Sequence, residues 1–271
     1  MGLLFYTALW YLLMPFLWVL LWMRGRSAPD YRKRWNERLV RNATPNTLPH
    51  CVWIHAVSVG ETLAAAPMIK AFLAQHPETP LLVTTTTPTG SDRVKALFGD
   101  RVHHVYCPWD LPAAWRRFFV AYNPKLVLIV ETELWPNLMA KADKEQVPVW
   151  LVNGRISEQS YQGYRRLRAL TTPAIRAYDG LLVQTEAEAE RYIKLGVAHE
   201  KVYVTGSIKF DLRLSDAVKE QAQQLRAQFG ERPVWVAAST HEGEEEEAIK
   251  AHKRVLSAFP DALLVLVPRH P

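Results

Sequence analysis

The stretch His55-Ala56-Val57-Ser58-Val59-Gly60-Glu61 decides the fold of the chain around it. The apolar run from Cys51 to Val57 predicts a strand, the next three residues predict a tight turn, and the pattern from Thr62 onwards predicts a helix. In α/β proteins such a turn lies at the edge of the sheet where ligands bind. Glu61 is therefore a candidate catalytic carboxylate, but an acid in the first turn also stabilises its helix through the dipole. The local sequence supports the catalytic role and the helix-stabilising role of Glu61 equally.

Short apolar runs and helical patterns alternate along the rest of the chain. Leu126–Val130 is the clearest of several runs that are apolar at every position, as expected for strands buried on both faces of a parallel sheet. The pattern predicts a doubly wound α/β fold. Strands are predicted at 51–57, 80–86, 102–106, 125–130, 147–152, 180–184, 201–205, 233–238 and 262–267. Helices are predicted near 62–74, 90–98, 111–121, 135–144, 158–177, 186–195, 215–228 and 243–258.

The composition narrows the class of partner. The chain has 271 residues, a net charge of +6 and a sequence pI near 9.3, which favours an anionic partner. Nucleic acid, anionic lipid and a phosphorylated substrate all fit that charge. The two cysteines, Cys51 and Cys107, have no metal-type spacing and indicate no disulfide framework.

Residues 1–23 contain no charged side chain and are long enough to span a bilayer. Seven basic residues follow within 24–41, so the positive-inside rule places the globular part in the cytoplasm, and the same residues suit anionic lipid headgroups. We therefore divide the chain into a membrane anchor (1–23), a basic juxtamembrane segment and linker (24–50), a complete Rossmann-like domain (51–207), a linker with a helix (208–232) and a partial second domain (233–271). The strands of that last part are apolar on both faces and require neighbours, so either the chain is truncated in its second domain or a partner supplies what is missing.

Several motifs follow predicted strands. Thr84–Gly90 is a hydroxyl-rich turn able to bond sugar or phosphate, unless it only caps a helix at Thr89 or Ser91. Glu131 and Glu133 share a face if their strand continues, or one of them caps the next helix. The segment 206–211 brings Lys209 to a strand end. No GxGxxG, GxxxxGK[ST] or GxSxG motif occurs in the sequence, and the adjacent pair His103-His104 is read as structural.

Taken together, these motifs resemble those of the 3-deoxy-D-manno-octulosonic acid (Kdo) transferases, which are membrane-anchored glycosyltransferases of the GT-B fold. The resemblance extends over essentially the whole chain, and six motifs in one order make it specific. They are His55-Ala56-Val57-Ser58-Val59-Gly60-Glu61-Thr62, Thr86-Thr87-Pro88-Thr89-Gly90-Ser91, Glu131-Thr132-Glu133-Leu134-Trp135-Pro136-Asn137, Gly206-Ser207-Ile208-Lys209-Phe210-Asp211, Ser239-Thr240-His241-Glu242-Gly243-Glu244-Glu245 and Pro268-Arg269-His270-Pro271.

The resemblance implies an inverting transfer of Kdo from CMP-Kdo to lipid IV-A at the cytoplasmic side of the inner membrane. By this likeness Glu61 is the general base, Glu131 and Lys209 support the transition state, and Pro268 and Arg269 begin the segment that contacts CMP. It implies no metal, no cofactor and no nucleic-acid partner, while anionic inner-membrane lipid is an expected partner.

The sequence also differs from those of this family in one respect. Kdo transferases continue beyond the Pro-Arg-His-Pro motif and complete a second Rossmann-like domain with a later glycine-rich segment that helps to hold CMP. The competing expectation is therefore a catalytically inactive, membrane-bound module that binds the lipid A precursor. A different nucleotide-sugar transferase of the same fold is a third, less favoured reading.

Overall fold

The computed structural model describes residues 2–211 and 216–269. The chain divides into two compact units, Met1–Leu212 and Arg213–Pro271. The predicted linker 208–232 is thereby divided between them, and its helix, at Asp216–Phe229, belongs to the second unit.

The first unit is built on a seven-stranded parallel sheet with the order β3-β2-β1-β4-β5-β6-β7. Neighbouring strands pair in parallel throughout, and β1 lies between β2 and β4. The strand predictions are confirmed to within a few residues at each end. The strands are β1 Val52–His55, β2 Leu81–Thr85, β3 His103–Tyr106, β4 Leu126–Val130, β5 Val149–Gly154, β6 Gly180–Val183 and β7 Val202–Val204.

The strand order reverses between β1 and β4, where Val52 pairs with Leu126. Helices cover both faces of the sheet, so the central strands are buried on both sides; every residue of β1 is buried. In doubly wound sheets the ligand crevice opens at the carboxyl ends of the strands where the order reverses. The carboxyl ends of β1 and β4 therefore mark the expected site.

The helices fall where the sequence pattern predicts them. One prediction needs correction: the single helix at 158–177 is two helices that meet at Leu167. The helices of the first unit are α1 Gly2–Ser27, α2 Val59–Gln75, α3 Pro88–Phe98, α4 Pro112–Tyr122, α5 Pro136–Lys144, α6 Glu158–Arg166, α7 Arg168–Arg176 and α8 Glu186–Lys194.

The N-terminal helix α1 has 26 residues, and among the described helices it alone is long and apolar enough to cross a membrane. One side of it packs against the main hydrophobic core of the first unit, through Leu21 and the partly buried Trp10, Met14, Leu17 and Trp18. The helix is thus part of the first unit.

The second unit contains a two-stranded parallel sheet of β8 Val234–Thr240 and β9 Leu263–Pro268. Helix α9 (Asp216–Phe229) precedes it and α10 (Glu244–Ala258) connects its strands, with no buried residue in either helix. This is the β-α-β unit that the sequence predicts.

Candidate functional site

Glu61 lies at the carboxyl end of β1, in the first turn of α2. Ser58 caps this helix by accepting a hydrogen bond from the Glu61 N–H at 3.4 Å. The Glu61 carboxylate turns back towards the strand: Oε2 accepts from the Val57 N–H at 2.5 Å, and Oε1 accepts from Ser58 Oγ at 3.4 Å. This arrangement is a variant of the capping box. It fixes one carboxylate oxygen firmly and leaves the other only weakly bonded.

Burial raises the pKa of Glu61 from 4.5 to about 6. The hydrogen bond from Val57 opposes this shift, the negative charge of Glu131 adds to it, and the positive charge of Lys209 opposes it. A carboxylate with a pKa just below neutrality is ionised at pH 7 and still takes up a proton readily, which is what a general base requires.

Glu131 is the first residue after β4, and it has a left-handed backbone conformation with φ of 65°. The strand does not continue through Glu133, so the predicted shared face of Glu131 and Glu133 is wrong. The turn instead directs Glu131 to Lys209, with 3.0 Å between Oε1 and Nζ. The Glu131 side chain is 19% exposed and that of Lys209 is 50% exposed. This ion pair joins the ends of β4 and β7.

The alternative prediction, that Glu131 or Glu133 caps α5, is also wrong. The first N–H groups of α5 donate to the buried Asp110, which lies in the loop after β3. Asp110 accepts from the backbone N–H groups of Asn137 and Leu138 at 3.0 Å each, and from Trp115 Nε1 at 2.6 Å. Because Asp110 supplies the cap, the glutamates of this motif are left available for the site.

Glu133 is a candidate that the sequence interpretation left without a role. Burial raises the pKa of its carboxyl group from 4.5 to about 7, and the negative charge of Glu61 adds to this rise. The backbone carbonyl of Glu133 accepts from the hydroxyl group of Tyr178 at 2.7 Å, which holds the segment in place. The Glu133 carboxyl group therefore keeps its proton to a higher pH than that of Glu61 does.

Asn153, near the end of β5, is a second residue that the sequence interpretation missed. It is fully buried with a φ of 57°, and its Oδ1 accepts from the Ile208 N–H at 3.2 Å. Ile208 directly precedes Lys209, so Asn153 positions the segment that carries the lysine. An asparagine that ends a strand is a weak signal in sequence, because the same residue is common in ordinary turns.

The hydroxyl-rich turn after β2 has a mainly structural role. Thr87, and not Thr89 or Ser91, caps α3 by accepting from the Gly90 N–H at 3.1 Å. Thr84 accepts from Trp53 Nε1 at 2.8 Å and contacts His55 Nδ1 at 2.8 Å.

Two ring nitrogens near this site lack a protein partner. Within residues 2–211 and 216–269, His55 Nε2 and Trp135 Nε1 are buried and unpaired. Their rings meet edge to face, with 6.3 Å between centroids. His55, which ends β1, and Trp135, which precedes α5, thus each have a buried nitrogen without a protein partner.

The basic segment after α1 is partly used inside the first unit. Arg38 is buried and donates to the Thr86 carbonyl at 2.9 Å. Arg34 pairs with Glu37 at 2.7 Å and donates to Ser91 Oγ at 2.8 Å. These two arginines hold their segment against the sheet, and of the other basic residues Arg32 donates to the Trp22 carbonyl and Lys33 pairs with Asp30.

Pro268 and Arg269 belong to the second unit, where Pro268 ends β9. The Arg269 N–H donates to the Thr240 carbonyl at 3.0 Å, and its guanidinium lies 3.3 Å from His241 Nε2. An arginine and a histidine at the end of a strand suit an anionic group.

The structure thus brings Glu61, Glu131, Glu133 and Lys209 to one edge of the first sheet. Among the residues that the structure describes, no group of three His, Cys, Asp or Glu side chains is placed to hold a metal ion. The arrangement offers a base, a cation and a carboxyl group that carries a proton. Proton removal next to a centre of changing charge is the chemistry that it supports.

Comparison with known proteins gives the family. Residues 33–212 match the family described as 3-Deoxy-D-manno-octulosonic-acid transferase (kdotransferase). The 3-deoxy-D-manno-octulosonic acid transferase of Haemophilus influenzae is 39% identical over 270 residues, covering 98% of this chain and 63% of the relative. That of Bordetella pertussis is 36% identical over 272 residues, covering 96% and 62%. The chain therefore spans less than two thirds of the length of these relatives.

Solved structures with little sequence identity share the fold. UDP-GlcNAc 2-epimerase from Neisseria meningitidis, bound to UDP-GlcNAc, has a TM-score of 0.56 at 16% identity, covering 80% of this chain and 64% of that one. A glycosyltransferase from Rickettsia africae has a TM-score of 0.52 at 11% identity, covering 82% and 62%. These likenesses confirm the GT-B-type α/β fold that the sequence predicts.

Proposed function

The chain belongs to the 3-deoxy-D-manno-octulosonic acid (Kdo) transferase family, and on that premise we propose that it takes part in the transfer of Kdo from CMP-Kdo to lipid IV-A. We propose that the first unit binds the acceptor and that Pro268 and Arg269 of the second unit contact the CMP group. Both substrates are anionic, which agrees with the net charge of +6.

The proposed reaction inverts the anomeric carbon of Kdo. An acceptor hydroxyl oxygen attacks that carbon, the bond from the carbon to the phosphate oxygen of CMP breaks, and CMP leaves with the electron pair. Glu61 takes the proton of the hydroxyl group. The transition state carries positive charge on the sugar, which the carboxylate of Glu131 stabilises, while Lys209 balances the negative charge of the donor.

One observation carries this proposal: Glu61 is a half-buried carboxylate with a pKa of about 6, at the point where the strand order reverses. Val57 and Ser58 orient it, and its weakly bonded Oε1 is available to a hydroxyl group. Glu133 retains its proton up to about pH 7 and so adds no second negative charge where the acceptor approaches.

We also propose that α1 attaches the chain to the cytoplasmic side of the inner membrane. The helix has the length and hydropathy for contact with lipid. Arg24 and Arg26 at its end favour the leaflet that carries anionic headgroups. A membrane-bound site meets a lipid acceptor without extracting it from the bilayer.

The test is an assay of membranes that carry the chain, with labelled CMP-Kdo and lipid IV-A. We expect the rate of transfer to rise as the pH passes about 6, and Glu61→Gln to lower it by about 10²- to 10⁴-fold. Glu78→Gln, at an exposed position before β2 and hence at the opposite edge of the sheet, is the matched control and should leave the rate unchanged.

Two results would contradict the proposal. If Glu61→Gln retains the full rate, Glu61 is not the base. If the chain binds lipid IV-A without any transfer, it acts as a binding module for the lipid A precursor.

A further inference from the structure

Helix α1 is docked on the first unit along one side, from Gly2 to Leu21. At its start, a Cβ on Gly2 would lie 3.2 Å from the Ala169 carbonyl oxygen of α7. One turn later, Thr7 Oγ1 donates to Asn137 Oδ1 of α5 at 2.9 Å. Near its end, Gly25 packs against the side chain of Arg32, which would have to shift to admit a Cβ. These contacts are specific at both ends of the helix.

The middle of α1 is held by aromatic packing. The ring of Trp18 lies 4.8 Å from that of Trp35 and 4.4 Å from that of Trp109, centroid to centroid. Inward-facing residues recur at intervals of three and four along the whole helix, which is the pattern of a helix packed on a protein surface. They are Leu3, Thr7, Trp10, Met14, Leu17 and Leu21.

The opposite side of α1 is apolar and has no protein partner among the described residues. Leu4, Phe5, Leu12 and Phe16 are 76%, 74%, 68% and 69% exposed. No residue on this side carries a charge before Arg24. An exposed apolar surface of this extent marks an interaction site.

The end of α1 indicates which partner covers that side. Arg26 and Arg32 lie over the ring of Trp22, at 4.6 Å and 5.0 Å from its centroid, and Arg24 adds a third positive charge. Tryptophan and arginine together are typical of the level of lipid headgroups, and the arginines complement anionic lipid. A second copy of the chain offers no such complementary charge, because it carries the same arginines.

A helix that is docked in this way cannot also cross the bilayer. Its 26 residues rise about 39 Å, more than the roughly 30 Å of the hydrocarbon core. If it crossed, the parts of α5 and α7 that line it would enter the hydrocarbon, including Asp143, which lines the same cavity as Leu3, and the exposed Arg168. Charged groups and the surface of a water-exposed domain are strongly disfavoured there.

We propose that α1 lies in the plane of the membrane surface, with its outward side in the acyl chains of one leaflet and its inward side docked on the first unit. This rests on the proposed membrane attachment but not on the proposed transfer of Kdo. Since Thr7 meets Asn137 at the start of α5, and Glu133 lies just before that helix, the lipid surface adjoins the edge of the sheet that carries the glutamates.

Cross-linking in native membranes tests the proposal without any assay of activity. Cys51 and Cys107, both buried, are replaced by alanine, and then Thr7→Cys is combined with Asn137→Cys. We expect most of the chain to form the intramolecular disulfide on mild oxidation. Phe16→Cys with Asn137→Cys is the matched control, because Phe16 faces outwards. This pair should form at least about tenfold less intramolecular disulfide.

Maleimide labelling is an independent test of the orientation of α1 in the membrane. Leu4→Cys should resist a membrane-impermeant maleimide added to the periplasmic side, because it lies in the cytoplasmic leaflet. Labelling from that side together with failure of the Thr7–Asn137 cross-link would establish a spanning helix and overturn the proposal. Cross-links between two chains through Phe16→Cys would overturn it in favour of a second copy as the partner, and recovery of the chain in the soluble fraction would overturn it outright.

Discussion

Replacing Glu133 by Gln is expected to stabilise the folded chain at neutral and alkaline pH and to leave its stability unchanged below about pH 4.5. Burial raises the pKa of this carboxyl group from 4.5 to about 7, so the folded protein binds the proton more tightly than the unfolded chain does. The ionised group therefore destabilises the fold progressively between pH 4.5 and pH 7, and fully above pH 7. At about 1.4 kcal/mol for each pKa unit, this penalty has an upper limit of about 3 kcal/mol, and we expect a measured gain of about 1–3 kcal/mol.

Urea unfolding in detergent micelles, followed by tryptophan fluorescence, measures this gain. Nine of the ten tryptophans lie in the first unit, so the signal reports the unit that holds Glu133. The difference between variant and parent should be close to zero at about pH 4 and should grow to its full size by about pH 8. Glu131→Gln is the matched control: it loses the partly exposed ion pair with Lys209, so its stability should fall by less than about 1 kcal/mol. A Glu133→Gln variant that gains nothing at pH 8 would refute the reasoning from burial.

Lys209→Met is expected to raise the pKa of Glu61 above about 6 and Glu131→Gln to lower it, because a nearby positive charge favours the ionised carboxylate and a negative charge disfavours it. Carboxyl NMR titration measures both, and shifts in the same direction would contradict the assigned geometry. Asp110→Ala should lower the free energy of unfolding by about 2–4 kcal/mol, because it leaves two backbone N–H groups and Trp115 Nε1 without their partner. Urea unfolding measures this loss; a loss below about 1 kcal/mol would show that Asp110 does not cap α5.

The sheet and the position of Glu61 at its edge could be predicted from local sequence. The all-apolar run Leu126–Val130 and its counterparts locate the strands, because only a strand covered on both faces is apolar at every position. The turn at Ser58–Gly60 then places Glu61 at the carboxyl edge of the sheet. Both inferences need only neighbouring residues, which explains why they succeed.

The features that the sequence did not reveal depend on residues far apart in the chain. Asp110 caps a helix that begins at Pro136, and Asn153 holds the segment before Lys209. The burial that sets the pKa of Glu133 likewise comes from other elements of the fold. A local sequence pattern does not show such distant partners. The sequence therefore predicted equally well that Glu131 and Glu133 share a strand or that one of them caps a helix.

The contact between Thr7 and Asn137 also has a consequence for synthesis of the chain, since 130 residues separate the two partners. At 5–20 residues per second, on the order of ten seconds pass after α1 leaves the ribosome before its docking surface exists. During that interval an apolar helix without a protein partner has only lipid or a targeting factor to cover it. If α1 attaches to the membrane as proposed, we expect the nascent chain to reach the membrane first and the sheet to fold afterwards at the bilayer surface.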